Sequence, residues 1–333
     1  MKRAYILSSL IFLLTSILFG CNGRNQNSVN VPEGNIEKKE KEPSEIFYMD
    51  KKYPGEGGVY DQWKQSDSLY RNATMEELVS MASKPKDPIM GLVSFRALLW
   101  KNPHEAVNLL ISEIDDTTSV CVMSGDCSWD DMISDVRISM AQLNRRYSKI
   151  TKEDSMRIDS AILFSDNALL YDYPYHLFKR LPAKPEYEAR LRQLYKRDIY
   201  ALVALARFHK DEDKQDVMNL LSQVNNKNTW ETNDTICATL LAVAAWPDKS
   251  FMPSVQKICE NKLFSQESNG CREAAFSALI AYDDQWSYRM IEKALSKQDY
   301  DMSYRFEQAY ENNPLPRFKP LYQKYKPKQN IIY

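Results

Sequence analysis

Three stretches in the second half of the chain align with one another without gaps, and this internal repetition constrains the fold more than any other feature. They are Ala204-Leu205-Ala206-Arg207-Phe208, Ala242-Val243-Ala244-Ala245-Trp246 and Ala278-Leu279-Ile280-Ala281-Tyr282, and their starts lie 38 and 36 residues apart. Each places an aromatic four positions after its first alanine. Each is followed by a charged break: Lys210-Asp211, Asp248-Lys249 or Asp283-Asp284. Beyond each break comes a second apolar stripe at helical spacing: Val217-Leu220-Leu221-Val224, Val255-Ile258-Cys259 and Met290-Ile291-Ala294-Leu295. Apolar residues at i, i+3, i+4 and i+7 mark one buried helix face. The first helix of each pair is apolar nearly all round, as over 199–208, and must be covered on several sides. A lone pair cannot do this, but a stack can.

An earlier unit follows the same plan. Met75–Met81 reads as a short helix, and Lys84–Pro88 as a break with Pro88 at a first helical position. Ile89–Trp100 carries Phe95-Arg96-Ala97-Leu98, and Pro103 opens a second helix, His104–Ile114, that ends at Asp115-Asp116. These residues resemble bacterial HEAT-repeat proteins, in which a helix of the type xxRxxAxxAL precedes a second helix and a closing aspartate. The resemblance covers roughly 74–143 and 196–297. Met90-Gly91 stands where the family usually has an arginine, and 144–195 shows weaker periodicity. The implied fold is all-α, a HEAT-like α-solenoid of antiparallel helix pairs. Glycine usage agrees. Only Gly91, Gly125 and Gly270 follow Gly58, so the frequent turns of a strand-rich fold and the glycine loops that cradle phosphates are not expected.

At the other end, Lys2 and Arg3 precede Ala4–Phe19, an uncharged stretch of sixteen residues. That is short of the roughly 20 apolar residues of a transmembrane helix, and it fits a signal peptide. It closes in Leu18-Phe19-Gly20-Cys21, which resembles the lipobox of bacterial lipoproteins. The resemblance implies cleavage before Cys21, a diacylglyceryl group on its thiol and an acyl chain such as palmitate on its new amine. The domains expected are a signal peptide over 1–20, a polar tether over 21–45 and the helical repeat body over 46–333. Asn22 is not the aspartate that resembles an inner-membrane retention signal, and Asn22–Gln26 lacks the acidic run that resembles a surface-export signal. The expected location is the periplasmic face of the outer membrane.

A formal charge of -1 with the two signs interspersed argues against nucleic acid as a partner. The last twenty residues hold Arg317, Lys319, Lys324, Lys326 and Lys328 without an acid, and they read as a solvated tail, with an anionic-surface contact as the alternative. Of six cysteines, an acylated Cys21 leaves five. Cys121 and Cys127 flank Ser124-Gly125-Asp126 and are the expected disulfide. Cys259–Cys271 is a weaker alternative, and Cys237 reads as buried packing. His104, His176 and His209 lack metal-ligand spacing, so no metal and no cofactor is expected.

The paired acids Asp115-Asp116, Asp130-Asp131 and Asp283-Asp284 read as helix caps. No Gly-x-Ser-x-Gly or His-Glu-x-x-His pattern occurs, and no catalytic residue is assigned. Tyr171, Tyr173, Tyr175 and Trp129 are the candidate contacts for a partner or ligand. The expected function is a lipid-anchored envelope scaffold that binds a protein. The alternative is an envelope enzyme or glycan-binding accessory using the Tyr, Trp and Asp clusters. A third reading, an immunity-type inhibitor, would require one strongly charged concave face.

Overall fold

The computed structural model describes residues 46–49, 62–83, 85–124, 127–143, 150–169, 174–223, 230–262, 271–297 and 299–327. The expected signal peptide, Cys21, the tether, Tyr171 and Tyr173 lie outside these residues. The chain divides into two compact units, the first ending at Thr151 and the second beginning at Lys152, where the sequence suggests a single body over 46–333. Both are mostly helical. No described helix is long and apolar enough to cross a membrane.

The first unit is built around α3 (Pro88–Lys101), on which α1 (Gln62–Asn72), α2 (Met75–Ala82), α4 (Pro103–Ser112) and α5 (Ile133–Ile138) pack. Local signals set these boundaries. Thr74 and Glu77 form a capping box on α2. Asp87 caps α3 ahead of Pro88, and Asn102 both ends α3 and caps α4 ahead of Pro103. Almost all of α3 from Ile89 to Leu99 is buried, Phe95 and Leu98 completely. A β-carbon at Gly91 would lie 2.2 Å from Cγ of Pro85, so no larger residue fits there.

A small sheet adjoins these helices: β1 (Ile46–Tyr48), β2 (Ser119–Ser124) and β3 (Cys127–Met132), in that order. β1 runs parallel to β2, and β3 runs antiparallel to it. The scarcity of glycine points to helices alone, yet β2 and β3 pair from Ser119 opposite Met132 to Ser124 opposite Cys127. Val120 and Val122 alternate inward and are buried, whereas β3 is largely exposed. β1 is fastened at two points. The Gln62 amide accepts from the Tyr48 amide at 2.8 Å and donates to the Ile46 carbonyl at 2.6 Å. The Arg96 guanidinium lies 4.6 Å from the Phe47 ring centre and 4.2 Å from that of Trp63 while donating to the Tyr48 carbonyl.

An ion pair is buried at the centre of this unit. Arg137, with its side chain 0% exposed, meets Glu113, 4% exposed, at 2.8 Å. Arg137 also donates to the Ala82 carbonyl and lies over the Phe95 ring, and Glu113 accepts from the Ser83 hydroxyl. Four separate segments thus converge on two charges.

The second unit begins with α6 (Lys152–Phe164), α7 (Pro174–Arg180) and α8 (Pro185–Tyr195). Eight further described helices follow in alternation. The first members are α9 (Ala201–Leu205, extended by a tighter turn to Phe208), α11 (Trp230–Ala245), α13 (Arg272–Tyr282) and α15 (Tyr300–Asn312). The second members are α10 (Asp211–Gln223), α12 (Met252–Lys262), α14 (Gln285–Leu295) and α16 (Lys319–Tyr325). α9 packs on α11, α11 on α13 and α13 on α15. α9, α11 and α13 are the most covered, with all of α9 and Ile236–Val243 of α11 buried, whereas α15 buries only Met302, Ser303, Phe306, Ala309 and Tyr310. Of α14 only Ser287, Met290, Ile291, Ala294 and Leu295 are buried. This is the division between fully and half-covered helices that the apolar spacing predicts.

One device recurs in both units. A cation from a later helix donates to the carbonyls left open at the C-terminal end of an earlier one. Lys101 caps α1 at Tyr70 and Ala73, and Arg137 caps α2 at Ala82. Arg190 caps α6 at Leu163 and Ser165, and Arg207 caps α7 at Phe178 and Lys179. With carbonyls alone as partners, burial pulls the Arg207 guanidinium down to about 10.

The expected Cys121–Cys127 disulfide is not formed. The hairpin register sets Cys121 opposite Asp130 and Cys127 opposite Ser124. The two cysteines therefore sit three rungs apart, about 10 Å along the strand and on opposite faces. Cys121 is a free thiol. The disulfide joins Cys237 of α11 to Cys271 at the start of α13, with Cα atoms 5.0 Å apart. Close packing of α11 on α13 brings these two together, so Cys237 is more than core filling. Cys259, the other partner considered for Cys271, is a buried thiol that desolvation pushes up to about 12.

Candidate functional site

In the second unit the charged breaks of successive pairs form a continuous edge. Each of the three aligned stretches ends in its aromatic, and Phe208, Trp246 and Tyr282 are all half-buried at this edge rather than enclosed between the pairs. Trp246 and Tyr282 bridge neighbouring elements at the rim. The residue after the aromatic must turn the chain out of the helix. His209 and Asp283 do so with φ of 54° and 49° in the left-handed region, where non-glycine residues are uncommon. Pro247 stands at the matching position of the middle stretch and cannot adopt that conformation.

The partners across this edge are specific. The His209 ring stacks on Trp246 with centroids 4.9 Å apart, and Trp246 meets Phe251 edge-on at 6.3 Å. Tyr282 donates its hydroxyl to the Asp248 carbonyl at 3.0 Å. Lys214 pairs with the Asp248 carboxylate at 2.7 Å, and Arg317 pairs with Asp283 at 2.8 Å. On the edge where the first helices begin, Tyr200 donates to Asp234 at 3.3 Å. Burial raises the Asp198 and Asp234 carboxyls, and the Asp234 charge adds to the rise at Asp198. Five cross-links have the same separation of 34 residues: Tyr200 to Asp234, Lys214 to Asp248, Cys237 to Cys271, Asp248 to Tyr282 and Asp283 to Arg317.

The Lys214 ammonium, aided by the Ser250 hydroxyl and amide, holds the Asp248 carboxyl at about 2. A folded-state value below the unfolded value of about 3.9 favours folding whenever the carboxylate is charged. Its contribution is therefore complete above about pH 4 and disappears as the pH falls toward 2. The side chains are 31% and 24% exposed, so solvent screening reduces it. Asp248→Asn is expected to cost about 1 kcal/mol near pH 6 and almost nothing near pH 2. Urea midpoints of the two proteins at both pH values check this, and an equal difference at both would refute the pairing.

The residues singled out from sequence are dispersed. Trp129 lies half-buried on β3 of the first unit. Tyr175 belongs to the second unit, in the first turn of α7, where Pro174 opens a helix instead of a non-helical break. Asp284 caps α14 as expected, through a capping box with Ser287. Asp130 and Asp131, by contrast, lie on β3 and not at a helix end. Nothing in the sequence assigns His209, Lys214 or Arg317 to an edge. The signal for two of them is a charge 34 residues from its opposite, Lys214 with Asp248 and Asp283 with Arg317. Among the described residues no group of three or more His, Cys, Asp or Glu side chains could hold a metal ion. No protein-family model, no curated protein and no solved structure matches this chain.

Proposed function

We propose that this chain is a lipid-anchored protein of the cell envelope whose second unit is a HEAT-like α-solenoid that holds a protein partner along its edge of breaks. The observation that carries the reading is the run of cross-links at a constant separation of 34 residues. These links tie successive helices and breaks to those that follow, the neighbour-to-neighbour contact by which a stack builds an extended binding surface. The edge presents aromatic rings among charges of both signs, the composition that anchors protein contacts. The disulfide supports export, since such bonds persist in oxidising compartments. The lipobox-like Leu18–Cys21 supplies the anchor.

Photo-crosslinkers placed singly at Lys210, Lys249 and Arg317 in living cells test this. The expected result is one recurrent envelope protein captured from all three positions and not from Lys196, which lies away from the breaks. Cys21→Ser should move the chain from the membrane fraction to the soluble periplasm. Capture of the same species from Lys196, or capture from none of the four together with retention on a glycan array, would favour the enzyme or glycan-binding alternative.

A further inference from the structure

The cations near the C-terminus read as a solvated tail in the sequence, but the fold joins them to a second set. α14 and α16 lie side by side, since Tyr288 of α14 stacks on Phe318 just ahead of α16 with centroids 6.2 Å apart, and Glu292 faces Lys324. Arg289 and Lys293 on α14, and Lys319, Lys324 and Lys326 on and just after α16, are all exposed. Nearby acids are mostly engaged elsewhere. Asp283 holds Arg317, Asp299 and Asp301 hold Arg272, and Glu311 accepts the Tyr322 hydroxyl. Glu292 lies beside Lys324, and Glu307 beside Lys326.

At the start of α15, three residues beyond Lys297, Tyr300 is 70% exposed, the most exposed large apolar side chain described. We propose that the outward face of α14 and α16 binds the anionic phospholipid headgroups of a bilayer. The cations are spread over two helices rather than converging on a point, which suits a charged plane better than a single phosphate. Lysines near such a plane each add attraction, and tyrosine is enriched at the headgroup level because its ring is apolar and its hydroxyl polar. That a bilayer is nearby rests on the anchored reading, but headgroup binding does not, and it is tested without the anchor.

The test is flotation of the chain from Cys21 onward, made without acyl groups, on phosphatidylcholine vesicles with or without about 30 mol % phosphatidylglycerol. Binding is expected only to the anionic vesicles and is expected to be lost in about 0.5 M salt. Lys319→Glu/Lys324→Glu/Lys326→Glu should weaken it about 100-fold, from the roughly fivefold that each cation contributes. Lys86→Glu/Lys152→Glu/Lys196→Glu, which changes the net charge equally at exposed sites elsewhere, should leave it within about twofold. Circular dichroism verifies that both variants fold. No binding to anionic vesicles, equal binding to neutral ones, or an equal loss in the second variant overturns the proposal. Failure of the anchored reading would show separately, as an unchanged cellular distribution of Cys21→Ser.

Discussion

Reduction of the Cys237–Cys271 disulfide is expected to lower the thermal midpoint of the second unit by about 10 °C. The bond closes a loop with a separation of 34 residues, and chain-entropy arguments give about 4 kcal/mol for a loop of that size. A unit of this length shifts by roughly 2–4 °C per kcal/mol. The bond also pins α11 to α13, which pack tightly along their buried faces, so its loss releases the interface in the middle of the stack. Cys237→Ala/Cys271→Ala should show the same shift without reductant and should be insensitive to it. Cys121→Ser, at a half-exposed position on β2, should change the midpoint by no more than about 2 °C. Scanning calorimetry of the three proteins with and without reductant reads these shifts. A shift below about 2 °C in the double variant would mean that helix packing alone sets the stability.

The second large effect lies in the first unit. Glu113→Ala should cost about 3–5 kcal/mol, because it strands a fully buried guanidinium. Arg137 would keep the Ala82 carbonyl and the Phe95 ring, but neither neutralises its charge. Arg137→Met alone should cost a similar amount by stranding the carboxylate. Arg137→Met/Glu113→Leu removes both charges together and is expected to recover most of the loss, since an apolar pair of similar volume avoids the desolvation that the ion pair must overcome. Urea unfolding of Arg137→Met, Glu113→Leu and the double variant against the parent chain gives the coupling energy. Simple additivity of the single losses in the double variant would contradict this account of the pair.

Much of the helical framework was legible in the sequence because its signals are local. Thr74 with Glu77, Asp87 with Pro88 and Asn102 with Pro103 mark helix starts within four residues, and the structure places α2, α3 and α4 where they indicate. The contrast between α9 or α11 and α14 was visible because complete and half coverage write different apolar patterns. What could not be seen depends on partners distant along the chain. Cys237 and Cys271 meet only because α11 lies against α13. Arg96 and Arg207 are placed by rings and carbonyls from other elements. The pairing of β2 with β3 was hidden for another reason: a low glycine count does not exclude strands, and the alternation of Val120 and Val122 on β2 is the informative pattern. The edge of breaks was half legible, its aromatics visible and its ion pairs hidden until the offset of 34 residues was known.

The cations that close helix ends also set an order of assembly. Lys101, Arg137, Arg190 and Arg207 each follow the carbonyls they satisfy by between 25 and 55 residues. A chain synthesised from its N-terminus therefore presents every such helix with a hydrated, unfinished end until a later segment emerges. α1 waits for the end of α3, α2 for α5, α6 for α8, and α7 for the turn after α9. Each element is locked by its successor, so the body matures in one direction and always trails the emerging chain by about one helix pair. A ribosome stalled partway would hold a correctly started fold whose newest helix is still open.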